Sequence, residues 1–344
     1  MSAYPLPQYV QLYPTDRCNQ KCAFCFNRRQ SRNGDMSYDL ARDLLDMLSR
    51  HRISSLDIMG GESFLLSWMP EYLRDVIRRG IRVNISTNGS IPEVMTKLGG
   101  LTPEVINIGV SLEGSRADIH NPLTRSRNFA KTVESIRNLV SLGLDPLVKT
   151  VVNLQNRNDI QSLIDLLKSL GVGRYYLIHM DLFSRDPEDR SQTMGFVEFM
   201  RFFETTRAQN PEVLVNKVHA SCFEKASLSP HVRCAGGVKK LAVMPDGSVY
   251  PCNLLQGVPD FLLGNIFTND LHEVWADSRL GFFRQAEKNH CHVKGCANFV
   301  SCTGGCPAHG YFHGMAMNGA DIRCMSHSVS PGACSGGRSP VTDT

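Results

Sequence analysis

The chain has 344 residues, 42% hydrophobic and 20% charged, which fits a globular protein of one large or two moderate domains and excludes a disordered or collagen-like chain. Its 37 Lys and Arg against 33 Asp and Glu leave a formal charge of +4, too small to draw it to nucleic acid or to an acidic membrane surface. The start has no secretory signal and no segment nears the roughly 18 unbroken apolar residues of a membrane span, so the expected location is the cytoplasm.

In chain order, short β-branched runs alternate with segments whose apolar residues recur at helical spacing. Strands are predicted over Tyr9–Tyr13, Ser55–Met59, Arg82–Ser86, Val105–Ser111, Pro146–Val152 and Tyr175–Met180. Helices are predicted over Tyr38–Arg50, Met69–Arg79, Pro92–Leu98, Phe129–Leu142, Asp159–Leu170 and Phe196–Gln209. Gly80, Gly143 and Gly171 stand just past helix ends, where a left-handed residue is wanted. The pattern predicts an α/β fold, a partial (β/α)6 TIM-like barrel with its site at the C-terminal strand ends. Beyond it, Leu241–Met244, Pro245-Asp246-Gly247-Ser248 and Val249-Tyr250 read as a β-hairpin. The expected division is a barrel over 1–215, a small Cys-rich unit over 216–325 and a disordered tail over 326–344.

The cysteines carry the functional signal. Twelve Cys accompany 11 His, and reduced cytoplasmic thiols in clusters are ligands or catalysts more often than disulfides. Cys18, Cys22 and Cys25 form C-x3-C-x2-C in the loop after the first strand. Three thiolates on one short loop can hold three irons of a [4Fe-4S] cubane and leave the fourth iron open. A zinc knuckle or four-Cys cluster would want a fourth ligand, and neither Cys nor His occurs between Cys25 and His51.

This spacing, with Phe24 before the last Cys, resembles the radical S-adenosylmethionine (SAM) enzymes, and the resemblance runs through the barrel to about residue 180. It implies that Gly60-Gly61-Glu62 binds the SAM amino group, with Ser63 where the family usually has Pro. It likewise implies ribose contacts from Ser86, Thr87 and Asn88, and contacts from Ser111 and Glu113 of Ser111-Leu112-Glu113-Gly114. Arg125, or equally spaced Arg127, would pair with the SAM carboxylate, and Val152 would flank the adenine. The implied chemistry is reductive SAM cleavage to a 5′-deoxyadenosyl radical that abstracts a substrate hydrogen, with a flavodoxin- or ferredoxin-type donor supplying electrons.

The later cysteines resemble the SPASM extension, which carries two auxiliary [4Fe-4S] clusters. By that resemblance Cys234, Cys252 and Cys306 hold one cluster, and Cys291, Cys296, Cys302 and Cys324 the other. Cys291 sits at unusual spacing, leaving His290 or His292 as substitutes. Cys222 either completes the first set or gives a hydrogen atom to a substrate radical; Cys334 is left over. Such extensions accompany enzymes that modify a ribosomally made peptide or protein by thioether or carbon–carbon crosslinking or by oxidation. A small-molecule epimerase or dehydrogenase, of the aminoglycoside or tetrapyrrole type, is the alternative. Sulfatase maturation is disfavoured because Asn253 stands where that branch has a basic Asp. Peptide recognition, if needed, is expected from a separate protein, because the first strand begins at about Tyr9.

Overall fold

The computed structural model describes residues 4–29, 34–182, 191–219, 234–284, 302, 304–314, 317 and 321–324. Cys222, Cys291, Cys296, Cys334, His290, His292 and the 326–344 tail lie outside the described residues.

The predicted units are present within one residue at each end, except that the helix predicted over Pro92–Leu98 ends at Met95 and a 3-10 turn covers Thr96–Leu98. The order is β1 (Tyr9–Leu12), α1 (Tyr38–Arg50), β2 (Ser55–Ile58), α2 (Met69–Arg78), β3 (Arg82–Thr87) and α3 (Pro92–Met95). It continues with β4 (Ile106–Ser111), α4 (Ala117–Thr124), α5 (Phe129–Ser141), β5 (Leu147–Val152), α6 (Ile160–Ser169), β6 (Arg174–His179), α7 (Phe196–Gln209) and β7 (Leu214–Val218). Then come β8 (Lys240–Val243), β9 (Ser248–Tyr250), β10 (Gly264–Asn265), α8 (Leu271–Trp275), α9 (Gly281–Arg284) and α10 (Pro307–Gly314). Ser37 starts α1 as an N-cap, its hydroxyl accepting from Leu40 N at 3.2 Å. Gly80, Gly143 and Gly171 take the left-handed backbone at φ of 73°, 73° and 76°.

The described strands form one sheet in the order β10-β9-β8-β1-β2-β3-β4-β5-β6-β7. Every pairing from β8 to β7 is parallel, and β8–β9 is the predicted hairpin. The sheet is therefore continuous across the expected boundary at 215: β7 straddles it, and β8 lies against β1 with Tyr9 opposite Lys240. It also curls, because Asp181 after β6 lies within electrostatic reach of Lys240 on β8, six positions away in strand order.

Period-two alternation divides the two faces. Val10, Leu56, Ile58, Val83, Ile85, Ile108, Val110, Val148, Tyr175 and Leu177 point to the helices and are at most 1% exposed. Each such side chain contributes about 1.5–3 kcal/mol of burial. The opposite face carries Gln11, Asp57, Asn84, Ser86, Asn107 and Lys149, and this polar face lines the concave side. No described helix is long and apolar enough to cross a membrane.

Candidate active site

The loop after β1 carries Cys18, Cys22 and Cys25 over the C-terminal ends of the parallel strands, and two backbone clamps hold it. On one side Gly61 N donates to Thr15 O (2.8 Å) and Glu62 N to Arg17 O (2.7 Å). On the other, Lys21 N donates to Thr124 O (3.2 Å) and Ala23 N to Leu123 O (2.9 Å), tying the loop to the last turn of α4. The first clamp explains the paired glycines. Gly60 has φ +120°, and a Cβ on Gly61 would lie 2.0 Å from Arg17 O. None of the three cysteines is in a disulfide. Burial raises the Cys22 pKa most, and the negative potentials of Glu113, Cys25 and Cys18 add to it. Three thiols in electrostatic contact on one fixed loop are a donor set that fits a cubane with one open iron.

Glu62 and its neighbours bind the loop into the barrel. Its carboxylate, 1% exposed, accepts from Thr87 Oγ1 (2.8 Å), Asn88 N (2.7 Å) and Phe64 N (3.1 Å). Asn88 Nδ2 in turn donates to Asn19 Oδ1 (2.8 Å) and approaches Cys18 Sγ at 3.7 Å. Glu62, Thr87 and Asn88 thus make one buried network under the cysteine loop. Ser86 Oγ, on the concave face, accepts from Lys149 Nζ at 2.8 Å. Ser111 sits opposite Lys149 in the β4–β5 register. Arg125 and Arg127 are both exposed beside an open concavity of about 600 Å³, and Arg125 directly follows the Leu123–Thr124 clamp. Val152 is 0% exposed with its side chain in the helix-side core, so only its backbone is open to an adenine; the alternation along β5 gives the concave face to Val151 instead.

Glu113 Oε2 accepts from Val151 N at 2.8 Å, and burial raises its pKa from 4.5 to about 8. A carboxyl that holds its proton more tightly when folded lowers stability as pH climbs between those two values. Glu113→Gln should therefore remove a slope of up to about 1.4 kcal/mol per pH unit over that window. Urea unfolding of the anaerobic protein at a series of pH values measures it; an unchanged slope would refute the assignment.

A second thiol group gathers beside the β8–β9 hairpin, and Tyr13 lies within electrostatic reach of both Cys252 and Cys25. Cys234, Cys252 and Cys306 are not in disulfides, Cys252 and Cys306 each lie within electrostatic reach of Cys234, and Asp181 reaches both. Cys302 Sγ accepts from Gly304 N at 3.2 Å, and Cys324 N donates to Asp321 O at 2.9 Å. Asn253 contributes an amide, its Oδ1 lying 3.2 Å from Cys252 Sγ. Two residues unremarked in the sequence join the groups: Gln256 Nε2 donates to Asn27 Oδ1 (2.6 Å), and Asn27 Nδ2 donates to Gly60 O (2.9 Å). Their only sequence signal is proximity to Cys25 and Cys252.

The Radical SAM superfamily is matched over residues 12–170, and the SPASM iron-sulfur cluster-binding domain over residues 234–303. The chain belongs to the radical SAM superfamily. This radical SAM enzyme is 25% identical to the antilisterial bacteriocin subtilosin biosynthesis protein AlbA of Bacillus subtilis, over 92% of this chain and 69% of AlbA. It is also 25% identical to the mycofactocin maturase MftC of Mycolicibacterium smegmatis, over 96% of this chain and 89% of MftC. Among solved structures, Streptococcus suis SuiB bound to precursor peptide SuiA has the same fold, with a TM-score of 0.76 at 19% identity over 93% of this chain and 76% of SuiB. Radical SAM membership implies a [4Fe-4S] cluster and SAM, and the SPASM domain implies auxiliary iron-sulfur binding.

Proposed function

We propose that this radical SAM enzyme modifies a ribosomally made peptide or protein, forming a thioether or carbon–carbon crosslink or an oxidised residue. The carrying observation is geometric: a clamped three-cysteine loop and a second thiol group belong to one barrel, joined through Gln256, Asn27 and Gly60 and by Tyr13, which lies within electrostatic reach of both Cys252 and Cys25. The names of AlbA and MftC, and the peptide bound to SuiB, support the peptide reading.

In this reading Cys18, Cys22 and Cys25 hold the first cluster, and Arg125 binds the SAM carboxylate because its chain neighbours touch the cysteine loop. Backbone of Gly60–Glu62, with Ser86, Thr87, Asn88, Ser111, Glu113 and Val152, completes the SAM pocket. Cys234, Cys252 and Cys306, with Cys222, hold one auxiliary cluster, and Cys291, Cys296, Cys302 and Cys324 the other. When bound, the cluster and SAM supply the radical that abstracts a substrate hydrogen. The protein's share is to fix the thiols, keep the polar concave face open to substrate and shield the loop with α4. A flavodoxin- or ferredoxin-type protein supplies electrons. Asn253 beside Cys252 has no carboxylate to take a proton, which argues against sulfatase maturation.

The test is mass spectrometry of peptides and metabolites from anaerobic host cells expressing the wild type or Cys22→Ala. A peptide lighter by two hydrogens in the wild type alone is the expected result. Unchanged peptides beside a shifted sugar or other metabolite would replace this reading with a small-molecule one.

A further inference from the structure

The concave face of the sheet carries two registered polar rows. Gln11, Asp57, Asn84 and Asn107 face one another across β1 to β4, with Asn84 Nδ2 donating to Asp57 Oδ1 (2.6 Å) and Asn107 Nδ2 to Asn84 Oδ1 (3.2 Å). Ser111, Lys149, Tyr176 and Asn216 face one another across β4 to β7. Lys149 leaves β5, crosses β4 and hydrogen-bonds Ser86 on β3 at 2.8 Å. Its path needs Gly109, since a Cβ there would stand 2.1 Å from Lys149 Cε. A strand-interior glycine weakens a sheet by about 0.5–1 kcal/mol, so the crossing has a local cost.

The ammonium is under-used by the protein. It has three N–H donors and gives one to Ser86; among the described residues no carboxylate lies within ion-pair distance. Asp57 acts on it only from farther off, being engaged by Asn84. Burial lowers the Lys149 pKa to about 8, with Asp57 opposing the shift. On the same face Gln11 Oε1 and Asn107 Oδ1 are buried acceptors with no hydrogen-bond partner, and Gln11 is only 7% exposed. Orphan acceptors and a half-used cation on one face of the sheet are a charge pattern that lacks its complement.

We propose that Lys149 binds a carboxylate of the substrate, beside the proposed SAM pocket, while Gln11 and Asn107 accept hydrogen bonds from its amide N–H groups. This deepens the peptide reading above and rests on it: the substrate segment is acidic, through a side chain or a C-terminus. The placement is next to the chemistry, because Ser86 accepts from the ammonium, Ser111 lies opposite Lys149 in the register, and both belong to the proposed SAM pocket. A carboxylate there restores full charge to Lys149 and gives it the ion pair it lacks.

The test is competitive trace acetylation of the anaerobic reconstituted holoenzyme with acetic anhydride, followed by peptide mapping, with exposed Lys131 as internal standard. The probes are Ac-Ala-Glu-Ala-NH2, Ac-Ala-Gln-Ala-OH, Ac-Ala-Gln-Ala-NH2 and glutarate. At about three times its Kd, a binding probe should lower Lys149 labelling about fourfold relative to Lys131. Protection by the first peptide assigns a side-chain carboxylate, and protection by the second a C-terminal one. Protection by glutarate but by neither acidic peptide keeps the carboxylate site and removes the peptide reading. Equal protection by the neutral peptide, or protection by no acid, overturns the proposal.

Discussion

Gly61→Ala should abolish SAM cleavage and empty the proposed first cluster site, with activity falling at least about 100-fold, the scale of an ångström-size misplacement at a reacting centre. A Cβ at position 61 would lie 2.0 Å from Arg17 O and 2.4 Å from Arg17 C, both backbone atoms, so no side chain can swing aside. Nor can the loop retreat. Thr15 Oγ1 donates to Asp35 Oδ1 at 2.5 Å, Arg17 Nε donates to the same oxygen at 2.8 Å, and Arg17 N donates to Thr15 Oγ1 at 3.0 Å. Relief must therefore come from parting the two backbone hydrogen bonds, at about 1 kcal/mol each, and shifting the residues that lead directly into Cys18. The control is Gly173→Ala, where an added Cβ meets no atom within 4 Å and stability should move by no more than about 0.5 kcal/mol. Iron content and 5′-deoxyadenosine yield, measured anaerobically on both variants, decide the matter. A Gly61→Ala protein with full iron and wild-type cleavage would refute the clamp.

The legible parts of this protein were those written in local chemistry. Hydrophobic spacing located α1 and α7 to the residue because each has a continuous amphipathic face. The short helix Ala117–Thr124 escaped, since Pro122 inside it reads as a breaker, yet its last turn is one of the two clamps on the cysteine loop. Strand β7 escaped for a different reason: it is an edge strand with Leu214 59% and Val218 42% exposed, so it lacks a buried apolar pattern. The Cys18–Cys25 spacing and the Gly60–Glu62 motif pointed to the site, but the motif's visible work in the structure is mechanical. Glu62 is occupied by Thr87, Asn88 and Phe64, and Gly61 by the backbone of Arg17. Lys149 gave no sequence signal at all. Its meaning depends on crossing from β5 over Gly109 to Ser86, a relation between positions 149, 109 and 86 that only the register supplies.

Arg323→Met should cost about 3–5 kcal/mol, because it breaks a buried ion pair from one side. Arg323 has a side chain at 0% exposure and donates to Asp321 through Nε (3.1 Å) and Nη2 (2.9 Å), to Asp181 Oδ1 through Nη1 (2.9 Å), and to Met180 O (3.3 Å). The joint fastens the C-terminal cysteine segment to the barrel. Asp321 Oδ2 accepts from Cys306 N at 2.9 Å, Phe196 N at the start of α7 donates to Arg323 O at 3.0 Å, and His309 Nε2 accepts from Leu182 N at 2.9 Å. Burial alone would raise the Asp321 carboxyl, but Arg323 and His309 hold it well below its ordinary 3.8. A carboxyl depressed in the folded state stabilises above its unfolded pKa, and that contribution is lost as pH falls below about 4. Without Arg323 the sign reverses for Asp321, and Asp181, whose carboxyl burial already raises, holds its proton more tightly still: both then destabilise increasingly as pH rises above about 4. The deficit of Arg323→Met relative to wild type should therefore be largest near neutrality and shrink in acid. Asp321→Asn in the Arg323→Met background removes one of the stranded charges and should recover at least about 1 kcal/mol at neutral pH, a coupling that a double-mutant cycle isolates. Urea unfolding of the wild type, Arg323→Met, Asp321→Asn alone and the double variant at neutral and acid pH, with iron counted in each, gives both numbers. A deficit independent of pH, or a double variant no better than Arg323→Met, would mean that Arg323 acts through its packing volume and not through its charge.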